Sequence, residues 1–510
     1  MKAAGEPTQT PAPDAPARET VPTAKRICWG SGGLAEALMY TGVNGLIDQI
    51  YIIALGYHAG LVSVVRAIPR FLDFLTDPLI GHLSDNTRSR WGRRRPWMMA
   101  GLLISAGVAV AIWFPPHVAH ADAETHWYQA AAVQWKGVAF FTLMMIGLYT
   151  VGYALFTIPY AGMGYELSTD YSERTHLFKW RMLAFTLGSF AAPWLPNLCM
   201  WLEGDDWSRL KGATGAHYVG IILGATILAA GLLPILFCRE RTQAQTAKQL
   251  RLRDAIQNVA SNRAFWPLLV GNLVAKFGMV VTGIFFRYVF YYHVGQGNLR
   301  DGATYYGMYC NSINIATLAL GTVGVAWLAD RMGKKPALLC GLAVSAAAYA
   351  SFGFTSTNTH AAFTSLHLPG HWDIPIQWPC LFTGVLIGVF TNTMPMLLNS
   401  MLADVCDADE LKTGQRREAF YSGVFVSCDK MALAVGLMFQ GALLVWSGFD
   451  ASLPTQTAAT VNLWILMLVI TQPLGFLLGF GCVLFYPLSR QQCRQIREQL
   501  DARASAVPRP

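Results

Sequence analysis

The chain has 510 residues, 53% of them hydrophobic and 13% charged, with a mean hydropathy of +0.35. Soluble domains carry about 25% charged residues, so this is a membrane composition with no stretch left over for a large soluble enzyme domain. The net charge of +8 lies in short loops between apolar runs, which argues against a nucleic-acid surface and matches the rule that orients membrane helices. The ten cysteines sit mostly in apolar runs with no CxxC pair, and read as buried small hydrophobes that imply neither metal nor disulfide framework.

Residues 1–25 are rich in Pro, Ala and Thr, lack the apolar core of a signal peptide, and are expected to be a disordered cytoplasmic tail. Apolar runs then predict spans at 27–54, 59–84, 97–116, 137–166, 178–202 and 216–238, and again at 264–294, 303–329, 337–356, 379–403, 419–446 and 460–486. The expected fold is an all-α membrane protein of about twelve transmembrane helices in two six-helix bundles, 26–238 and 263–487. Between them, 239–262 is a basic, amphipathic linker suited to the cytoplasmic membrane surface, and 488–510 is a cytoplasmic tail.

Basic residues gather on every second connection. They fall at 88–95, at Arg174 and Lys179, at 239–253, at Arg331, Lys334 and Lys335, at Lys412, Arg416 and Arg417, and at Arg490 and Arg494. The other connections hold few, so both termini are expected in the cytoplasm of a multi-pass plasma membrane protein, the bacterial inner membrane being the natural setting.

The stretch from Arg66 to Pro96 departs most from an ordinary span. Arg66, Arg70, Asp73 and Asp77 lie inside an apolar run, followed at once by Arg88, Arg90, Arg93, Arg94 and Arg95. On a helix, Asp73 and Asp77 share one face with Arg70 one turn earlier. A charge near the bilayer centre costs at least about 2.5–3.5 kcal/mol, so this face points at protein or a wet cavity. A single structural ion pair would leave one carboxylate and Arg66 unsatisfied, whereas a site that exchanges a cation or proton accounts for more of them.

A weak internal repeat sets Gly81–Asp85 and its arginines beside Gly324–Pro336, with Asp330, Arg331 and Lys334. Both stretches lie between the second and third helices of their half, as duplication of a six-helix unit requires. Two readings stand for Asp85, Arg90, Arg93, Arg94, Asp330, Arg331 and Lys334: a charge cluster that gates the cytoplasmic side, or ordinary orientation charge.

The run from Asp73 through Asp77-Pro78, Gly81 and Asp85 to Arg93-Arg94-Arg95-Pro96-Trp97 resembles the glycoside–pentoside–hexuronide:cation symporters. These are the melibiose-permease-like branch of the major facilitator superfamily. A second block, Asp404 to Ser422, is similar to the family's loop between helices ten and eleven. The resemblance covers residues 26 to about 490 and implies alternating-access symport of a sugar with H⁺, Na⁺ or Li⁺. It assigns Asp73 and Asp77 to the cation site, Arg70 to a neighbouring charged position, Lys430 to the central polar network and Arg181 to the sugar. Were Na⁺ the ion, Asp73 and Asp77 would be its metal ligands; no other cofactor is implied.

Departures from the family pattern shape the expectation. The helix-one carboxylate that holds sugar hydroxyls falls on Ala37, with Glu36 adjacent; Thr157 and Ala161 stand where an aspartate and a tryptophan are expected on helix four. An α-galactoside is therefore not the expected solute. Thr76 replaces an Asn beside Asp77 and Ala154 a Thr that would lend oxygen. Na⁺ wants several oxygens while a proton needs one buried carboxylate, so H⁺ is expected over Na⁺.

Lys276 on helix seven either joins Arg70, Arg181 and Lys430 in an electropositive pocket for a uronide, or pairs with a nearby carboxylate. Tyr160, Tyr165, Trp180 and Tyr421 are stacking candidates, although for each of them core packing is the favoured reading, aromatics being common in bilayer helices. The function expected is cation-coupled symport of a sugar, glycoside or uronide by a monomer whose partners are that solute and membrane lipid. The alternatives are a Na⁺-coupled lysophospholipid or other amphiphile carrier, and a passive facilitator or sensor. No HExxH, GxSxG or P-loop supports a membrane enzyme.

Overall fold

The computed structural model describes residues 21–116, 127–167, 171–204, 211–238, 262–356, 363–368, 372–414 and 418–506. Of the tail expected at 1–25 and the linker at 239–262, residues 1–20 and 239–261, with the linker's basic positions, lie outside the described residues, whereas the end of the expected disordered tail is already helical from Thr23. In lipid every backbone polar group must be satisfied within the protein, which drives apolar runs of this length into helices. Each predicted run falls on one helix.

The first bundle comprises α1 (residues 23–54), α2 (Ala59–Asn86), α3 (Arg95–Ala111), α4 (residues 127–166), α5 (residues 171–202) and α6 (Ala213–Phe237). The second comprises α7 (Phe265–Val294), α8 (residues 299–332), α9 (Lys334–Thr355), α10 (Trp378–Thr413), α11 (Glu418–Trp446) and α12 (Ala458–Leu484). By length and hydropathy seven of these helices can cross a bilayer unaided, or eight if α8, bent by 46°, counts as one span. Helix α2 fails that test because its interior carries the charges that make it interesting.

Two features go beyond the apolar-run reading. Strands β1 (Phe363–Leu368) and β2 (Trp372–Gln377) pair antiparallel between α9 and α10, with Phe363 opposite Gln377. Residues 490–506, expected as a tail, form α13 (Arg490–Ala506), whose Arg503 donates to the Leu411 carbonyl at the end of α10 (2.8 Å).

Several helices are locally underwound and widened into π turns, which cluster where function demands a displaced side chain. Leu38–Gly42 and Asp48–Ala54 in α1, and Ile146–Tyr153 in α4, are π-helical. These turns carry Tyr40, Asp48, Tyr149 and Tyr153 toward the interior.

Close approach between helices depends on small residues, as expected where lipid supplies no hydrophobic drive for helix association. A Cβ on Gly278 of α7 would sit 3.0 Å from the Thr471 carbonyl and 3.3 Å from Gly475 Cα of α12. Across the two bundles, α2 packs along α11. A Cβ on Gly441 would strike the Ser63 side chain and come within 2.7 Å of the Ala59 carbonyl. Helices α5 and α8 form the second seam, where Asn197 hydrogen-bonds Thr304 (3.2 Å).

The two ends of the bundle pair differ. At the end carrying the α1–α2 and α5–α6 connections, Lys211 Nζ donates to the Ala451 carbonyl (2.9 Å) and the Ile53 carbonyl (3.3 Å), joining the halves. Burial pushes the Lys211 ammonium below its ordinary pKa. At the arginine-rich end the ion pairs between described residues stay within halves. Arg94 gives Nε and Nη2 to Asp85 Oδ1 (3.0 and 2.8 Å), and Lys334 Nζ reaches both oxygens of Asp404 (2.7 Å each).

Candidate functional site

Helix α2 contains Pro69 and Pro78, each of which removes a backbone donor and loosens the helix around the charged face. Arg70 and Asp73 are buried, at 5% and 3% exposure. Arg70 is held between two π-turn aromatics, its guanidinium carbon 4.9 Å from the Tyr40 ring centroid and 4.6 Å from that of Tyr149. A guanidinium stacked in this way is fixed in direction and partly stabilised by the ring faces. It donates Nη1 to Asp73 Oδ2 at 3.3 Å.

The opposite half supplies the other cation. Lys430 on α11 lies 3.6 Å from Asp73 Oδ2 and directly contacts Asp77 Oδ2. Asp73 Oδ2 therefore stands between a guanidinium and an ammonium, while Oδ1 is buried without a hydrogen-bond partner. A buried carboxylate with one oxygen unpartnered is costly while it stays ionised.

A second cluster spans the halves nearer the Lys211 end. Asp48 on α1 accepts from Arg66 Nη1 on α2 (2.8 Å) through Oδ1 and from Arg287 Nη1 on α7 (3.2 Å) through Oδ2. Arg287 also stacks on Tyr306 of α8, 5.2 Å from the ring centroid.

Glu36 of α1 receives Nε and Nη2 of Arg181 on α5 at 2.8–3.1 Å, and Tyr153 Oη at 3.5 Å. Tyr153 packs on Tyr40, ring centroids 5.9 Å apart, so an aromatic bridge links Glu36 to the Arg70 cage. A cavity of about 460 Å³ opens between the halves, lined by Asp48, Arg66, Arg70, Arg287 and Tyr306 with Asn44 and Gln440. That volume falls in the ordinary range for small-molecule sites.

Charged walls, paired across two pseudo-symmetric bundles and enclosing a solute-sized cavity, are the equipment of a carrier. A family described as MFS/sugar transport protein matches residues 28–490. The chain belongs to that family. It is 25% identical to the inner membrane symporter YicJ of Escherichia coli over 94% of this chain and 95% of that one. It is 24% identical to the isoprimeverose transporter of Lactiplantibacillus pentosus, covering 96% and 94%. The solved inward-facing, unoccupied structure of a bacterial homolog of the human lysosomal transporter Spinster aligns with TM-score 0.57 over 93% of this chain and 96% of its own. At 13% identity that likeness establishes the fold alone. The chain is an integral membrane transporter with the all-α major facilitator fold, and not an enzyme.

Within this MFS/sugar transport chain the expected residues divide into groups. Asp73, Asp77, Arg70 and Lys430 come together, and Glu36 and Arg181 form a separate pair. Thr76 turns its hydroxyl back onto the Leu72 carbonyl (3.1 Å) rather than toward Asp73. Thr157 keeps its Oγ1 buried. Tyr160 is wholly buried and donates to the Trp29 carbonyl (2.7 Å), so it supports the Arg181 side chain above its ring instead of facing the cavity. Tyr421 is buried too, accepting from Asn262 Nδ2 (2.8 Å); the Tyr165 side chain lies outside the described residues.

Lys276 does not enter an electropositive pocket. It contacts Asp429 of α11, whose other oxygen accepts from Asn272 Nδ2 (3.1 Å). Of the loop charges, Asp85 pairs with Arg94 and Lys334 with Asp404, Arg331 stacks on Trp327 at 4.1 Å, and Arg90 and Asp330 are exposed. Arg93 is half-buried. Neither pair joins the halves in this conformation.

Sequence reasoning passed over Asp48, Arg287, Asp429 and the partner role of Asp404. The signal that singled out Asp73 was present for the first two as well: Asp48 and Arg287 are ionisable residues inside apolar runs, GVNGLIDQIYIIAL and GIFFRYVFYY.

Proposed function

We propose that this protein is a secondary active transporter that carries a sugar or glycoside together with a proton, by alternating access of its two bundles. The setting is a bacterial inner membrane with both termini in the cytoplasm, and the working unit is a monomer embedded in lipid. Symport of sugars is what the names of its relatives describe, and the geometry supports the coupling half of the reading. With the basic loops in the cytoplasm, the Lys211 end is the outer one. The latched outer end and the unbridged loop pairs of the inner end then correspond to an inward-facing state.

The observation that carries the proposal is Lys430, which reaches from one half to both carboxylates of the other. While Asp73 and Asp77 are ionised, the ammonium holds the halves together along the α2–α11 seam. A proton arriving on either one removes that attraction, and the seam is free to rearrange around the bound sugar. Ion release on the other side restores it.

A proton is favoured over Na⁺ by the company these carboxylates keep. An incoming metal ion would meet the Arg70 guanidinium and the Lys430 ammonium and find the Thr76 hydroxyl turned away. A proton needs only one carboxylate oxygen, and Asp73 Oδ1 is without a partner. The test is sugar uptake into proteoliposomes under an imposed pH gradient or an imposed Na⁺ gradient. Accumulation driven by the pH gradient and abolished by protonophore is expected. Accumulation driven by Na⁺ at fixed pH and insensitive to protonophore would replace H⁺ by Na⁺.

A further inference from the structure

We propose that a cavity at the arginine-rich end of the second bundle holds the headgroup and the start of an acyl chain of one anionic glycerophospholipid, with Lys335 and Arg490 on its phosphate. The site lies apart from the cavity between the halves and does not depend on which solute is carried. About 430 Å³ opens between the α8–α9 turn, α10 and the α12–α13 connection, with Lys334, Lys335, Asp330, Asp404 and Arg490 among its walls.

The charges there do not cancel. Lys334 is paired with Asp404. Lys335 Nζ donates instead to the Leu484 and Tyr486 carbonyls at the end of α12 (2.8 Å each), Arg490 Nη1 donates to the Arg331 carbonyl (3.4 Å), and Arg331 stacks on Trp327. Among the described residues none of these three cations meets a carboxylate, and the remaining acid at the rim, Asp330, is exposed. Four cations therefore stand against two carboxylates, and the partner they lack is an anion.

The rest of the cavity says which kind. Its body is apolar, formed by Ala326, Ala329, Leu397 and Met401, and a free phosphate would leave that surface unused. Met332 and Met396 line the cavity and are also exposed, as are Trp327 and Phe485, next in the chain to the lining residues Ala326 and Tyr486. The mouth thus lies at an apolar surface that a bilayer covers. With the basic loops in the cytoplasm, this is the inner leaflet, where basic pockets between helices suit anionic headgroups. A zwitterionic headgroup would bring its own ammonium up to the same cations, which repel it. An anionic phosphodiester draws the ends of α8 and α12 and the start of α13 onto one group, and so stabilises the inner face of this bundle.

The test uses the purified full-length protein in micelles doped with equal amounts of phosphatidylglycerol and phosphatidylcholine bearing the same chains. Retained lipid is counted by native mass spectrometry, and the thermal unfolding midpoint is measured with each lipid alone. Inorganic phosphate and glycerol phosphate form soluble arms. One phosphatidylglycerol per chain should be retained at an excess of at least about tenfold over phosphatidylcholine, a gap of roughly 1.4 kcal/mol, and it should raise the midpoint. Lys335→Gln and Arg490→Gln should each cut that excess several-fold, whereas the charge-keeping Arg490→Lys should hold most of it. Arg494→Gln, which removes an arginine of α13 that pairs with Glu498 and does not line the cavity, should leave it unchanged.

Equal retention of the two lipids, an excess that survives both Lys335→Gln and Arg490→Gln, or an equal loss in Arg494→Gln would overturn the assignment; the last result would reduce it to general surface charge. A midpoint raised as much by phosphate or glycerol phosphate as by phosphatidylglycerol would overturn the lipid in favour of a soluble anion.

Discussion

Two buried clusters join the halves along and beside the α2–α11 seam, and their proportions differ. Around Asp73 and Asp77 two carboxylates face two cations, Arg70 and Lys430, so the charges balance. Around Asp48 one carboxylate faces two guanidiniums, and they do not. A balanced cluster changes its net charge only by gaining or losing an ion, which suits coupling. The second cluster instead ties α1, α2 and α7 together through one shared carboxylate.

The largest effect should come from breaking the balanced cluster. Lys430→Met strands Asp77 and removes one of the two cations beside Asp73, and gradient-driven accumulation in proteoliposomes should disappear. Retention of wild-type accumulation would mean that the pair is only structural.

Next comes Asp48→Asn, which deprives two buried guanidiniums of their only shared carboxylate. Loss of one partner from a buried pair costs about 3–5 kcal/mol, so the thermal unfolding midpoint should fall. Arg66→Gln, which leaves the Arg287–Asp48 pair in place, should lower it less. Equal losses in both would erase the distinction between the clusters.

A smaller effect is expected at Gly441, which lets α11 lie against Ser63 and Ala59 close to the Asp48 cluster in the chain. Gly441→Ala overpacks this contact by about 1–3 kcal/mol and should open the outer end, raising thiol labelling of a cysteine introduced at Ser63. Smallest is Lys211→Met, which removes two hydrogen bonds to carbonyls, worth about 0.5–1.5 kcal/mol each. It should shift the same labelling in the same direction by less.

Much of the fold was legible in the sequence, because a membrane forces long apolar runs into helices and little competes with that rule. The strand pair β1 and β2 and helix α13 escaped, since neither carries a long apolar run. At the site, Arg70, Asp73 and Asp77 stood out as charges crowded into one apolar stretch. Asp48 and Arg287 were single charges 239 positions apart, and which cation meets which carboxylate is decided by the packing of whole bundles. For that reason Lys276 could be read equally as a pocket lysine or as a partnered one, and only Asp429 decides between them. The π turns that bring Tyr40 and Tyr149 onto Arg70 leave no mark in composition or periodicity.

The account depends most on Asp73 and Asp77 acting as the groups that exchange an ion while Lys430 ties them to the other half. The direct measurement is solute accumulation against solute exchange in proteoliposomes bearing Asp73→Asn or Asp77→Asn. Each variant should lose concentrative uptake under an imposed cation gradient while still exchanging labelled for unlabelled solute. Concentrative uptake at the wild-type level in both variants would contradict it.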